Sequence, residues 1–115
     1  MRSEPVDVFL AVEGFVVERC GTAVAAQQGE LAVVLGRDAK DVPAGQTRDY
    51  VFGYTILNDV SARDVQTAHK QWYFGKSLDG FTPIGPCIVT ADEFEAYPPK
   101  LPIRCFVNGE KRQDS

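Results

Sequence analysis

Histidine, cysteine and long apolar stretches are all scarce in this chain of 115 residues. His69 is the only histidine, and the three cysteines, Cys20, Cys87 and Cys105, show no CxxC spacing. An odd count without paired spacing argues against a disulfide framework and against a thiolate zinc centre. Leu31 to Leu35 is as long as any uninterrupted apolar run, far short of the ~20 residues that span a bilayer. Basic charge is also in the minority. Twelve Lys and Arg stand against sixteen Asp and Glu, a formal net charge of −4. With a pI near 4.9 there is no electrostatic case for a nucleic-acid partner. Residues Met1 to Pro5 contain no apolar segment of the kind that opens a secretory signal. The expectation is an acidic, soluble, cytoplasmic protein without a membrane or nucleic-acid partner.

What is present is the balance of a globular domain: 44% hydrophobic and 24% charged residues. The length fits a single domain over residues 1–115, with no repeat or Gly/Ser linker dividing it. Short strands are predicted at Val6 to Leu10 and Phe15 to Val17, with Gly14 turning between them. Glu30 to Leu35 reads as a more apolar strand, compatible with burial on both faces. Asp41-Val42-Pro43 resembles a helix entry, with a short helix running toward Val51. Phe52 to Asn58 is rich in aromatic and β-branched residues and predicts the next strand. Ser61, three residues ahead of Asp64, predicts a capped helical turn. From Phe74 to Pro86, glycine and proline among polar residues predict a long ordered loop, often a functional feature. Ile88 to Thr90 and Ile103 to Val107 are further strands, and Asn108-Gly109 is a type I′ hairpin signal. Only Glu110 to Ser115 follow that turn, so the hairpin reads as unfinished and the domain as truncated.

Several residues are candidates for chemistry. Glu30 opens one strand and Asp59 follows another, and strand ends on a rigid sheet can aim carboxylates at a common point. A hard divalent cation takes such oxygens, although solvated strand-end charges would look the same. Arg63 and Gln66 lie three apart, on one face if a helical turn begins near Ser61. Arg offers a planar fork to a substrate carboxylate and Gln an amide to a carbonyl; a surface Arg paired with a nearby acid is the plainer alternative. Lys76, in Gly75-Lys76-Ser77-Leu78-Asp79-Gly80, has no P-loop glycine upstream. It suits neutralisation of a developing enolate, or is an exposed turn lysine. His69 reads as the exposed end of a helical turn rather than as a base. Trp72, Tyr73 and Phe74 read as core or loop anchors, since no basic groove accompanies them.

The segment from Asp49 to Gln66, DYVFGYTILNDVSARDVQ, is followed by QWYFGKSLD at Gln71 to Asp79 and by Pro83-Ile84-Gly85-Pro86. With Gly29 to Gly36 ahead of it and Val107-Asn108-Gly109-Glu110 behind, this order closely resembles the fumarylacetoacetate hydrolase family. The resemblance implies an α+β, β-rich fold, a mixed β-sandwich or roll with short helices that pairs into a homodimer. It implies Mg²⁺ or Mn²⁺, with Ca²⁺ a further candidate, and small-molecule 2-oxo or β-dicarbonyl acids as substrates. By that similarity Gln28, Glu30 and Asp59 match metal ligands, Arg63 and Gln66 match substrate-contacting positions, and Lys76 matches the catalytic lysine near the enolate oxygen.

Three departures from the family pattern bear on activity. The first acid of the family's Glu-x-Glu is Gln28, which retains an oxygen donor but loses a charge. No histidine occurs among residues 1–28, where the family's water-activating pair is expected, and Ala11 stands where a lysine is usual. The family's glycine- and threonine-rich motif after the hairpin has no counterpart before Ser115. The resemblance therefore implies a metal-dependent C–C hydrolase of acylpyruvate or fumarylacetoacetate type. Its alternatives are an oxaloacetate decarboxylase, an isomerase or hydratase of the same family, or a catalytically degenerate relative that needs a partner subunit.

Overall fold

A computed structural model describes residues 8–12, 15–18, 25–26 and 28–115. Val6, Asp7, Gly14 and Cys20, named above, lie outside the described residues, as does the side chain of His69. The strands are β1 Val8–Val12, β2 Phe15–Glu18, β3 Ala25–Ala26, β4 Gly29–Leu35, β5 Val51–Asn58, β6 Ser61–Ala62, β7 Val89–Thr90, β8 Ile103–Val107 and β9 Glu110–Asp114. One α-helix, α1, spans Arg63–His69, and 3₁₀ segments span Ala44–Tyr50, Trp72–Lys76 and Ala91–Glu93. Strands dominate and helices are short, as the α+β expectation has it.

The strands form antiparallel sheets in the orders β2-β1-β8-β9 and β4-β5-β7, with β3 and β6 as a separate pair. The first two sheets meet through a small core. Ile56 of β5 and Cys105 of β8 are its centre, with Val89, Leu101, Ile103 and Val107 packed around them. Burying a side chain such as Ile56 contributes about 1.5–3 kcal/mol, so this contact is a main link between the two sheets.

β4 corrects the expectation of a doubly buried strand. It is an edge strand, and Val33 and Leu35 are more than half exposed. An apolar run reads the same whether a neighbour covers it or not. The Asn108-Gly109 hairpin forms as predicted, and its returning strand is present. β9 pairs along β8, and Ser115 exchanges main-chain bonds with Ile103 beyond it. Asn108 and Gly109 have φ of 51° and 80°, the left-handed pair that a type I′ turn requires.

Ser61 does not cap a helix. It is buried in β6 opposite Ala26, and α1 begins at Arg63 behind Ala62, with no side-chain cap. The predicted helix after Pro43 is 3₁₀. The Phe74–Pro86 segment starts inside a 3₁₀ helix and is then tied to β5: Asn58 N–H donates to Pro83 C=O at 3.0 Å and Gly85 N–H to Ile56 C=O at 3.0 Å. Trp72, Tyr73 and Phe74 are 70%, 73% and 53% exposed and are not core residues. The turn of 3₁₀ helix that carries them sets Gly75 inward instead.

Candidate active site

The site grows from the end of the β4–β5 ladder. The last paired residues are Gly29 and Asn58, and one step further Asp59 N–H donates to Gln28 C=O at 2.9 Å. Gln28 and Asp59 are thus directly opposite one another. Glu30, two residues after Gln28, shares their face because strand side chains alternate. Directly opposed residues bring their Cβ atoms to about 5 Å and diagonal ones to roughly 7–8 Å. Backbone pairing therefore gathers Gln28, Glu30 and Asp59 at one corner, where Gln28 and Glu30 are exposed and Asp59 is half-buried.

α1 and the 3₁₀ segment Trp72–Lys76 add the other groups. They pack so closely at Gly75 that a Cβ there would lie 2.8 Å from Ala62 C=O and 2.9 Å from Gln66 Cβ. Only glycine allows that approach. The next residue, Lys76, donates from Nζ to Asp59 Oδ2 in a direct ion pair. The side chains of Lys76 and Asp59 are 31% and 19% exposed, so the pair is shielded on one side and open on the other.

Arg63 and Gln66 share a face of α1, as their spacing predicts. Arg63 Nη1 donates to Gln66 Oε1 at 2.8 Å. Gln66 is buried, and its Nε2 has no hydrogen-bond partner. A buried amide donor left unpaired costs about 1–3 kcal/mol, so this atom is ready to meet an acceptor. Asn58, buried behind Asp59, likewise leaves Oδ1 unpaired. Nothing in the sequence singled out Asn58 or Gly75; a residue's close approach to a distant segment has no local signature.

The donors present suit a hard cation: two carboxylates and one amide, all oxygen. Among the described residues no group of three His, Cys, Asp or Glu side chains is gathered to hold a metal ion, so such a site here depends on the Gln28 amide as its third donor. His69 closes α1, the helix that carries Arg63 and Gln66.

Comparison with known proteins bears on the family and the fold. The family description "Fumarylacetoacetate (FAA) hydrolase C-terminal" matches residues 4–115. The chain belongs to the fumarylacetoacetate hydrolase family. It is 46% identical over 86 residues to oxaloacetate tautomerase YisK of Bacillus subtilis, covering 75% of this chain and 28% of that protein. The fumarylacetoacetate hydrolase of Exiguobacterium antarcticum superposes with a TM-score of 0.74 at 46% identity, over 82% of this chain and 33% of that one. A 5-carboxymethyl-2-hydroxymuconate delta-isomerase from Mycobacterium smegmatis does so with a TM-score of 0.69 at 40% identity, over 97% of this chain and 36% of that one. The chain spans about a third of the length of the curated relatives it matches. No helix among the described residues is long and apolar enough to cross a membrane.

Proposed function

We propose that this chain supplies the metal- and enolate-binding part of an active site for 2-oxo and β-dicarbonyl acids, with C–C hydrolysis of acylpyruvate type as the leading reaction. The observation that carries the reading is the meeting of Lys76 with Asp59 at the corner that also holds Gln28 and Glu30. Gln28, Glu30 and Asp59 would hold Mg²⁺ or Mn²⁺. Such a cation, when bound, polarises the 2-oxo carbonyl of the substrate.

The protein groups do the rest. Arg63 presents a guanidinium fork to the substrate carboxylate. Its bond to Gln66 Oε1 occupies the amide oxygen and leaves Nε2 to donate to an oxygen of the substrate. The Lys76 ammonium places positive charge where the enolate oxygen develops, and a fixed charge in a partly shielded site needs little reorganisation as the reaction proceeds. Its bond to Asp59 holds it on that line.

A second reading uses the same residues for keto–enol or double-bond isomerisation, since the enolate is common to both reactions. The similarity to an oxaloacetate tautomerase and to a delta-isomerase favours it. The test is a substrate panel with Mn²⁺: acylpyruvates followed by loss of enol absorbance with release of pyruvate, and oxaloacetate followed for tautomerisation and decarboxylation. Pyruvate release lowered roughly 10²–10³-fold by Lys76→Met is expected. Enol–keto exchange without bond cleavage supports the isomerase reading. Tight binding of Mn²⁺ with oxalate but no turnover supports a degenerate relative. Absence of both binding and turnover overturns the proposal.

A further inference from the structure

Gln113 stands out on β9. Its neighbours Glu110, Lys111, Arg112 and Asp114 are exposed, whereas Gln113 is partly buried. The cause is a bulge. β9 pairs Glu110 with Val107 and Lys111 with Phe106, but the next pair is Gln113 with Cys105, leaving Arg112 as the extra residue. A regular ladder would set Arg112 opposite Cys105 and turn Gln113 to the outer face; one added residue reverses that parity. Cys105 is fully buried between the sheets, so its cross-strand partner Gln113 also points toward β4.

There it meets the main chain of Gly29. Gly29 N–H donates to Gln113 Oε1 at 2.8 Å, and Gln113 Nε2 donates to Gly29 C=O at 2.9 Å. The other Nε2 proton reaches Ser115 Oγ at 3.3 Å. The amide orientation follows from this pairing, because the reverse would set donor against donor. Gly29 needs these bonds. Hydrogen-bonded pairs alternate along an antiparallel ladder, and Asp59 bonds to Gln28, so the N–H and C=O of Gly29 face away from β5. Gly29 is buried, and both groups would otherwise be orphaned. The Gln113 amide takes the place of a neighbouring strand's peptide.

The clamped peptide lies between Gln28 and Glu30. We infer that Gln113 is a positioning residue for the cation site. It fixes, from the opposite sheet, the backbone from which two of the three oxygen donors project. The inference rests on the reading of Gln28, Glu30 and Asp59 as cation donors. Partners that orient metal ligands are typically worth about 10–100-fold in metal affinity.

The experiment measures Mn²⁺ binding by the loss of the free-ion EPR signal, alongside metal-free urea melts, for the unaltered chain, Gln113→Met, Glu30→Gln and the double variant. Gln113→Met keeps the side-chain length and removes the clamp. We expect it to weaken Mn²⁺ about tenfold while still melting cooperatively, and to have much less effect once Glu30→Gln is present. That non-additivity separates a role exercised through Glu30 from general loosening of the fold. Unchanged Mn²⁺ affinity in Gln113→Met, or fully additive losses, overturns the inference. If Gln113→Met does not melt cooperatively, Gln113→Glu is used in its place. It keeps the Gly29 N–H acceptor and sets a carboxylate oxygen against Gly29 C=O, and the same loss and non-additivity are required of it. Should the unaltered chain bind no Mn²⁺, or Asp59→Ala leave its binding unchanged, the cation reading itself fails and takes this one with it. Hydrogen exchange of the Gly29 amide then reports on the clamp as a purely structural tie.

Discussion

Lys76 Nζ is bonded to Asp59 Oδ2, so the proposed enolate-stabilising cation and a proposed metal ligand are joined directly. A divalent ion at Asp59 has to share that carboxylate with the ammonium. Ion pairs at this level of exposure are worth about 0–1 kcal/mol, which sets the scale of the competition. Lys76→Met should therefore tighten Mn²⁺ by up to about fivefold while lowering turnover by roughly 10²–10³-fold, the usual cost of removing one charge-stabilising group. Titration calorimetry with Mn²⁺ beside a steady-state assay checks it. Weaker Mn²⁺ binding would show that Lys76 organises the site instead of competing within it.

Gly75 places Lys76. A methyl at this position would press on Ala62 C=O and Gln66 Cβ, the first backbone and the second the root of a buried side chain. Neither yields easily, so the 3₁₀ segment Trp72–Lys76 has to move off α1. Overpacking of this kind costs about 1–3 kcal/mol. Gly75→Ala should lower the urea midpoint accordingly, and turnover should fall further than Mn²⁺ affinity, since Asp59 and Glu30 belong to other elements. An unchanged melt would mean that the two helices separate freely.

Gln28 sits opposite Asp59, and restoring a carboxylate there separates two electrostatic effects. Without metal, Gln28→Glu adds a like charge across the ladder, which destabilises by about 0.2–1 kcal/mol. With a hard cation, the extra charge raises affinity, because charge count is a main determinant of such sites. The thermal melt should therefore drop slightly in EDTA and rise above that of the unaltered chain in saturating Mn²⁺. A shift of the same sign in both buffers would mean that residue 28 does not reach the ion.

Much of this corner was legible because it depends on local rules. The Asn108-Gly109 turn needs two left-handed residues, and its sequence declares them. Arg63 and Gln66 meet because three residues make nearly one helical turn. Gln28 and Asp59 stand opposite one another because the strands they flank are adjacent and antiparallel. What escaped depends on distant geometry. Gln113 looks like one more polar residue in a charged strand, and only the bulge at Arg112 turns it inward. Gly75 owes its identity to a helix that precedes it. Ser61 obeys a capping pattern, yet pairing with Ala26 takes it into a strand. Trp72 to Phe74 have the composition of a core and are exposed in this chain, since composition does not say which surface covers a residue.

Cys105 lies fully buried at the junction of the two sheets, and burial pushes its thiol above the ordinary value of 9.0. A raised folded-state pKa means that the native protein holds the proton more tightly than the unfolded chain. The resulting stability is complete below pH 9 and is lost as pH rises through the folded value. Tyr54 adds a second alkaline limb. Burial and then the neighbouring Tyr97 raise it above 10.0, against a smaller opposing pull from Arg48. Urea melts in reductant from pH 7 to 11 should show stability beginning to fall near pH 9 and falling more steeply beyond pH 10. Cys105→Ala lowers the whole curve by about 1 kcal/mol, since it leaves a small void. It also removes the first limb and leaves the second, which Tyr54→Phe removes in turn. Parallel pH profiles for the unaltered chain and Cys105→Ala would show that the thiolate reaches water without opening the contact with Ile56, and that the link between the sheets is looser than its burial implies.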